Sequence, residues 1–199
     1  MSPADGVSVE PARHRGRGRS KRLDVGIAQA ALKVLVQRGT AGFSVVQVAR
    51  EVGCSKSSIY RRHGTRENLI LDAANCLLNP GSPPIGVSGT LGWLIDSRVE
   101  QLSNPAYVVA SAMLIDEAAR GTELGLRYVA EVFEPLRRAR IAVAQRAKVS
   151  GEFRPDADLD LLLDAISGTL LFRAGHRIEF DAQLSERLVA LFAIGVEVR

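Results

Sequence analysis

The sequence is poor in cysteine and in aromatic residues, and it contains no long apolar run. Its two cysteines, Cys54 and Cys76, lie far apart in a chain of 199 residues, which argues against a disulfide framework and is typical of a reducing compartment. No apolar run reaches the roughly 18 residues needed to span a bilayer. No apolar segment follows the N-terminal arginines, as one would in a secretory signal. We therefore expect a cytoplasmic protein.

The sequence also lacks the motifs typical of catalysis or metal binding. No nucleophile elbow, phosphate-binding loop or dinucleotide fingerprint is present. Three histidines have no cysteine or carboxylate neighbours at ligand spacing: His14, His63 and His176. Three alternating aspartates resemble the start of a calcium loop: Asp156, Asp158 and Asp160. These residues do not form a calcium loop, because Leu161 stands where the loop needs a glycine and Ser167 stands where it needs a bidentate glutamate. We expect no enzyme, metal or cofactor, and interpret the aspartates as a helix N-terminus.

Positive charge is concentrated at one end of the chain. Residues 1–66 contain 13 Lys and Arg against 4 Asp and Glu, a net charge of +9, whereas residues 67–199 contain 13 against 18, a net charge of −5. This asymmetry indicates a polyanionic partner that only the basic end contacts. The alternative is a solvated tail. Residues 1–20 have almost nothing apolar to bury, and we expect a disordered basic arm there.

Residues 43–66 have the pattern of two short helices joined by a tight turn. Ser44 is a good N-cap, and an apolar stripe with helical spacing follows it: Val45, Val48, Ala49 and Val52. Gly53 ends this helix, and Ser55 can cap the next. The second helix has one apolar anchor, Ile59, and is otherwise polar and basic. Such a helix is suited to the DNA major groove, although an ordinary surface hairpin with a charged face is the alternative.

Residues 21–77 resemble the N-terminal domain of the TetR family of bacterial transcriptional regulators. The resemblance rests on the serine that opens helix two, the glycine turn, and the motifs that follow: Ser44, Gly53, Ser55-Lys56, Ile59-Tyr60, Arg61-Arg62 and Thr65-Arg66-Glu67. His63 stands where the family usually has phenylalanine, a departure that concerns how the recognition helix packs on helix four. The resemblance implies an all-α protein, with a helix-turn-helix domain over residues 21–79 and a helical effector-binding and dimerisation domain over residues 85–199.

We predict DNA contacts from the recognition helix, its neighbours and the arm. Phosphate contacts are expected from Ser44, Lys56, Tyr60 and Arg66, and Ser57, Ser58 and Arg61 are expected nearest the bases. The predicted set also includes Arg62, His63, Arg17, Arg19 and Lys21. The arm either inserts arginines into the minor groove or adds affinity only through counterion release, and the sequence leaves both open.

Beyond the Pro- and Gly-rich residues 79–84, which mark a domain boundary, every segment has helical periodicity. We predict helices over residues 90–102, 105–120, 122–149 and 183–198, and another that starts at Asp156 or Asp158. Pro135 should kink the long one. The last two helices are apolar on more sides than one protomer can cover, which predicts an isologous dimer interface: Leu159, Leu163, Ile166, Leu170, Leu184, Leu188, Leu191 and Phe192.

The C-terminal domain also contains candidates for an effector pocket, because pockets in bundles are mostly apolar and lie between helices. The resemblance implies that a small molecule bound there changes the separation of two DNA-reading heads. Seven residues are candidates, although residues of these types are individually more often plain core: Trp93, Tyr107, Met113, Tyr128, Phe133, Phe172 and His176.

These observations predict a dimeric, ligand-responsive DNA-binding transcriptional regulator, with a repressor released from a palindromic operator as the preferred interpretation. One alternative is an architectural protein that binds DNA non-specifically through its basic arm. A second is a helical enzyme or small-molecule binding protein whose basic end is incidental.

Overall fold

The computed structural model describes residues 15–78 and 89–196, without the side chains of residues 15–22 and 76–78. Regular structure in these ranges is helical, as predicted: α1 (Arg15–Arg38), α2 (Val45–Val52), α3 (Lys56–His63), α4 (Arg66–Leu78), α5 (Gly89–Leu102), α6 (Pro105–Ala119), α7 (Glu123–Tyr128), a π-helical turn (Val129–Phe133), α8 (Glu134–Ser150), α9 (Leu159–Gly175) and α10 (Leu184–Val196). None of these helices is long and apolar enough to cross a membrane.

Helices α1 to α4 form the N-terminal domain around one apolar core. Ile27, Ala31 and Leu35 of α1 are fully buried against α2 and α4, and Phe43 fills the space just before α2. The predicted stripe of α2 faces inward. Its C-cap, Gly53, has a φ of 68°, a left-handed conformation that a side chain would strain.

Helix α1 begins earlier than the sequence predicts. We expected it to start near Leu23, after a disordered arm over residues 1–20, but the helix already begins at Arg15. No proline interrupts residues 15–22, so the backbone hydrogen bonding of α1 can continue in that direction. Residues 1–14 and the predicted boundary at 79–84 lie outside the described residues.

Helices α5 to α10 form the C-terminal domain, in which α5 packs against α8, α9 and α10, and α6 packs against α9. Asn104 caps α6, with Pro105 in its first turn, as predicted. Asp158 caps α9 by accepting a hydrogen bond from the backbone N–H of Leu161 at 3.0 Å, which explains one of the three alternating aspartates. Asp156 and Asp160 bind Arg154 and Arg137, respectively.

The long helix predicted over residues 122–149 is interrupted before Pro135. The interruption is a π turn, in which the N–H of Glu134 donates to the carbonyl of Val129. Pro135 then lies in the first turn of α8, where its missing N–H costs little. Gly125 lies against α6 so closely that an added Cβ would be 2.2 Å from the carbonyl carbon of Glu117. The π turn and this close approach set the path of α7.

Candidate DNA-reading helix and ligand cavity

Helix α3 is held in place by one buried side chain and by the residue that caps its N-terminus. Ile59 is 1% exposed and anchors the helix in the core, while the Oγ of Ser55 accepts a hydrogen bond from the N–H of Ser58 at 3.2 Å. Side chains on the opposite side of the helix therefore face outward. We call four exposed residues the reading face: Lys56, Ser57, Tyr60 and Arg61.

The reading face combines two cations with small and aromatic hydroxyls. The Nζ of Lys56 lies 5.5 Å from the centroid of the Tyr60 ring, a cation–π arrangement that supports both side chains. The Oγ atoms of Ser57 and Ser55 are 2.9 Å apart. These groups can donate to phosphates and to base edges.

Two residues predicted to bind DNA instead fix α3 to its neighbours. Arg62 donates to Asp24 of α1 at 2.6 Å, and the Nδ1 of His63 donates to Asp72 of α4 at 2.6 Å. The side chain of His63 is only 10% exposed, and its Nε2 is buried without a partner among the described residues. The recognition helix thus packs on α4 through a hydrogen bond at the position where the family usually has phenylalanine.

Arg66 also forms contacts within the domain. Its Nε donates to the carbonyl of Phe43 at 3.2 Å, and its Nη2 donates to the carbonyl of Thr40. The guanidinium also stacks 5.7 Å from the centroid of the Phe43 ring. These bonds join the start of α4 to the α1–α2 loop and use donors that the predicted phosphate contact of Arg66 would need, so that contact stays a prediction.

The other predicted DNA-binding residues have mixed positions. Ser44 caps α2, where its Oγ accepts from the N–H of Gln47 at 3.4 Å, and Ser58 is half-buried. Both remain beside the reading face. Arg17, Arg19 and Lys21 belong to α1, but their side chains are outside the described part, so their contacts stay predictions.

A cavity of about 210 Å³ opens between α5, α6, α8 and α9. Three of the seven predicted pocket residues line it: Tyr107, Tyr128 and Phe133. The sequence analysis missed the rest of the wall, which combines apolar residues with polar and charged ones: Arg98, Ser111, Ile115, Leu136, Arg137, Arg140, Leu163, Asp164, Ser167, Gly168 and Leu171.

Four predicted pocket residues lie elsewhere. Trp93 and Met113 are half-buried and pack against the core. Phe172 and His176 stack on each other with ring centroids 4.3 Å apart, at the exposed end of α9. Aromatic character alone did not distinguish the cavity wall from core and surface.

Two arginines form the polar end of the cavity. Arg98 donates to the Oη of Tyr107 at 2.8 Å and to the Oε1 of Gln101 at 3.2 Å, and Arg140 donates to the same Oε1 at 2.8 Å. Burial, followed by the neighbouring charge of Arg98, lowers the pKa of Arg140 to about 10, so Arg140 still carries its charge at neutral pH. Burial also raises the pKa of Tyr128 to about 12, which keeps that phenol neutral.

The predicted dimer residues are mostly inside the protomer. Six of them are buried within its own core, which leaves them little surface for a partner: Leu159, Leu163, Ile166, Leu170, Leu184 and Leu188. Leu191 is exposed, and Phe192 is half-buried. The apolar side chains that α9 and α10 expose are Leu161, Phe172, Leu191 and Ile194, which we call the outer face.

The two domains are joined by polar contacts near α7. The Oγ1 of Thr40 donates to Glu117 of α6, and the Nη2 of Arg127 in α7 donates to Asn68 of α4 at 2.8 Å. The hydrogen bond from Thr40, followed by one from Thr122, lowers the pKa of Glu117. Helix α4 therefore contacts the helix that continues, through the π turn, into the cavity wall.

Comparison with known proteins gives matches along both domains. Residues 27–73 match the family model described as bacterial regulatory proteins, tetR family. Residues 87–192, more than half of the chain, match the model described as tetracyclin repressor-like, C-terminal domain. An uncharacterized HTH-type transcriptional regulator, YdeS of Bacillus subtilis (strain 168), is 24% identical over 165 residues, which cover 80% of this chain and 81% of YdeS.

Solved structures share the fold at low sequence identity. GusR of Salmonella enterica has a TM-score of 0.66 and 17% identity, with 86% of this chain and 94% of GusR covered. FadR of Bacillus subtilis, in complex with stearoyl-CoA, has a TM-score of 0.68 and 15% identity, with 85% of this chain and 97% of FadR covered.

Proposed function

The chain belongs to the TetR family of bacterial transcriptional regulators, and on that premise we propose that it is a repressor that binds a palindromic operator as a homodimer and leaves it when a small-molecule effector binds. Membership of this family makes the chain a DNA-binding regulator rather than an enzyme. The observation that carries the operator proposal is the reading face. It presents two cations and two hydroxyl groups outward from a helix whose apolar anchor, Ile59, is buried.

The outer face supports the proposed homodimer. Helices α9 and α10 expose large apolar side chains that are costly to leave in water. A two-fold axis through this surface would cover it with the same surface of a second copy. It would also present two reading faces, which bind half-sites about one helical turn, roughly 34 Å, apart.

The connection between the cavity and α4 supports release by a ligand. Tyr128 and Phe133 bound the π turn on either side and both line the cavity, while Arg127 contacts Asn68 of α4. A ligand that fits one arrangement of α7 better than another would shift the position of α4 and weaken DNA binding by that difference in affinity. The stearoyl-CoA bound to FadR is consistent with a ligand site in this fold.

Selection of bound fragments from random and genomic DNA, at low and near-physiological salt, tests the proposal. We expect a palindrome that persists at the higher salt, because base contacts are less salt-dependent than phosphate contacts. Recovery of only salt-sensitive binding with no preferred sequence would contradict it and favour the architectural protein. Since the proposed ligand is chromosomal DNA, the proposed location is the cytoplasm.

A further inference from the structure

Arg98 and Arg140 place two positive charges side by side at the inner end of a cavity whose lining surface is mainly apolar. Arg140 is 8% exposed, and the side-chain oxygen of Gln101 bridges the two guanidiniums. In the described residues, neither arginine forms an ion pair with a carboxylate. The carboxylate at the cavity mouth, Asp164, is bound by Arg137 at 3.1 Å. Among the described residues, the inner end therefore holds like charges without a counter-ion.

The donors of these arginines are only partly used. The Nε atoms of Arg98 and Arg140 are buried and have no hydrogen-bond partner among the described residues, although each guanidinium carries five N–H donors. Buried charges and buried donors are normally paired, because leaving them unpaired is costly. An arginine fork matches a carboxylate in plane and spacing, so an acid bound here would supply both the charge and the acceptors.

We propose that the effector is a small organic acid whose carboxylate binds between Arg98 and Arg140 and whose apolar body occupies the rest of the cavity. This inference rests on the ligand response proposed above and specifies the chemical class of the ligand. Ile115, Leu136, Leu163 and Leu171 form the apolar wall. The volume of about 210 Å³ is below the roughly 300–1,000 Å³ of pockets for drug-sized molecules, so the acid is small.

Calorimetry on the DNA-free, full-length protein tests the proposal with straight-chain acids from butanoate to octanoate and their primary amides. The amides keep the shape and the apolar chain but lack the charge. We expect the best acid to bind about tenfold or more tightly than its amide, since charge-assisted hydrogen bonds are lost in the amide. Equal binding of acids and amides, or no acid binding at millimolar concentration, would overturn the proposal.

Variants at the inner end locate the acid. Arg140→Gln and Arg98→Gln should each remove most of the preference for acid over amide. Arg138→Gln is the matched control, because Arg138 lies on the same helix and its side chain is 72% exposed, and this variant should keep the preference. An unchanged preference in both inner variants would place the acid elsewhere and overturn the assignment.

Thermal unfolding gives a second readout, the first part of which needs no ligand. If Arg140 is an uncompensated buried charge, Arg140→Met should unfold at the same or a higher temperature than the wild type without ligand, and acids should no longer raise that temperature. A clear loss of stability in unliganded Arg140→Met would contradict the unpaired-charge premise. Operator binding is assayed separately, so failure of the repressor proposal leaves these outcomes interpretable.

Discussion

At the residue scale, Arg61 is the residue of the reading face that we expect to read sequence. It is exposed near the C-terminal end of α3, and an arginine fork discriminates guanine from other bases through paired hydrogen bonds. Arg61→Ala should cost about 1–3 kcal/mol of binding to the operator while leaving binding to other sequences nearly unchanged. Competition titrations with operator and scrambled duplexes measure this difference.

Lys56→Ala provides the comparison for Arg61→Ala. Lys56 is a point charge on the same face, and its loss should weaken binding to operator and scrambled DNA alike. The slope of log K against log salt concentration should become shallower by about one unit. If Arg61→Ala and Lys56→Ala have the same effect on both duplexes, the assignment of Arg61 as a base-reading residue is wrong.

Arg66 should contribute to the stability of the domain rather than to its affinity for phosphate. Its guanidinium donates to two loop carbonyls and stacks on Phe43, so Arg66→Ala removes one hydrogen bond from each of those carbonyls. We expect the free energy of unfolding to fall by about 1.5–3 kcal/mol, the range for hydrogen bonds to charged groups. The salt dependence of DNA binding by the folded variant should stay unchanged.

Urea denaturation and salt titrations separate these two roles of Arg66. Arg120→Ala is a suitable control for the denaturation, because Arg120 is exposed and pairs only with the exposed Asp116 among the described residues; such surface pairs contribute little. If Arg66→Ala is as stable as the wild type but its DNA binding depends less on salt, the result would support the phosphate contact predicted from the sequence.

Residue roles were predictable where a single helix determines them and not where a tertiary partner does. The reading face follows from Ile59, the one apolar residue of α3. The bonds that Arg62 and Arg66 form depend on Asp24 and on loop carbonyls, which are distant in sequence. A usable signal existed for the cavity, since Arg98 follows the buried Leu94 at helical spacing and Arg140 precedes the buried Ala144 in the same way. An arginine on an apolar stripe marks a buried polar site.

At the scale of elements, the approach of α7 to α6 depends on Gly125. A Cβ at this position would lie 2.2 Å from the backbone of Glu117, so Gly125→Ala must push the two helices apart. Forcing a methyl group into such a contact should lower the free energy of unfolding by about 1–3 kcal/mol. Because Arg127 of α7 bonds to α4, operator affinity should fall as well.

Gly26→Ala is the matched control for Gly125→Ala. An added Cβ at Gly26 would lie 3.8 Å from Val52, an ordinary contact, and replacing glycine inside α1 should stabilise the protein by up to about 1 kcal/mol. If the α6–α7 contact is as tight as described, denaturation will show a lower free energy of unfolding for Gly125→Ala and a higher one for Gly26→Ala, each relative to the wild type. Equal stability of the two variants would refute that close approach.

Helix positions were largely predictable from caps and periodicity, whereas the π turn was not. Ser44, Asn104 and Asp158 each cap a helix as their sequence context indicates. Pro135 predicted an irregularity in the long helix, but a proline can kink a helix, break it or follow a π turn. The choice depends on how α7 and α8 pack on their neighbours, and a single sequence does not encode that directly.

At the scale of the whole molecule, the sequence predicted more apolar surface than one protomer covers, but not which residues are left uncovered. Helix α9 is apolar on several sides, and its buried side is satisfied by α5, α6 and α8 of the same protomer. The exposed residues Leu161 and Phe172 lie on another side. Periodicity identifies the apolar sides of a helix, but only tertiary packing decides which of them is left for a partner.

Charge placed on the outer face should therefore separate the proposed dimer. Leu161→Glu and Leu191→Glu each remove an apolar side chain whose burial stabilises a dimer by about 1.5–3 kcal/mol. In an isologous interface each substitution is present twice, once in each copy. A carboxylate trapped there would cost still more. Sedimentation at micromolar concentration should find a dimer for the wild type and monomers for both variants.

Leu126→Glu is the matched control, because Leu126 is 60% exposed, close to the 64% of Leu161 and the 61% of Leu191. This variant should remain dimeric, since α7 lies outside the outer face. If all three variants stay dimeric, the two copies meet elsewhere, and the spacing of the reading faces would have to be derived from another two-fold axis.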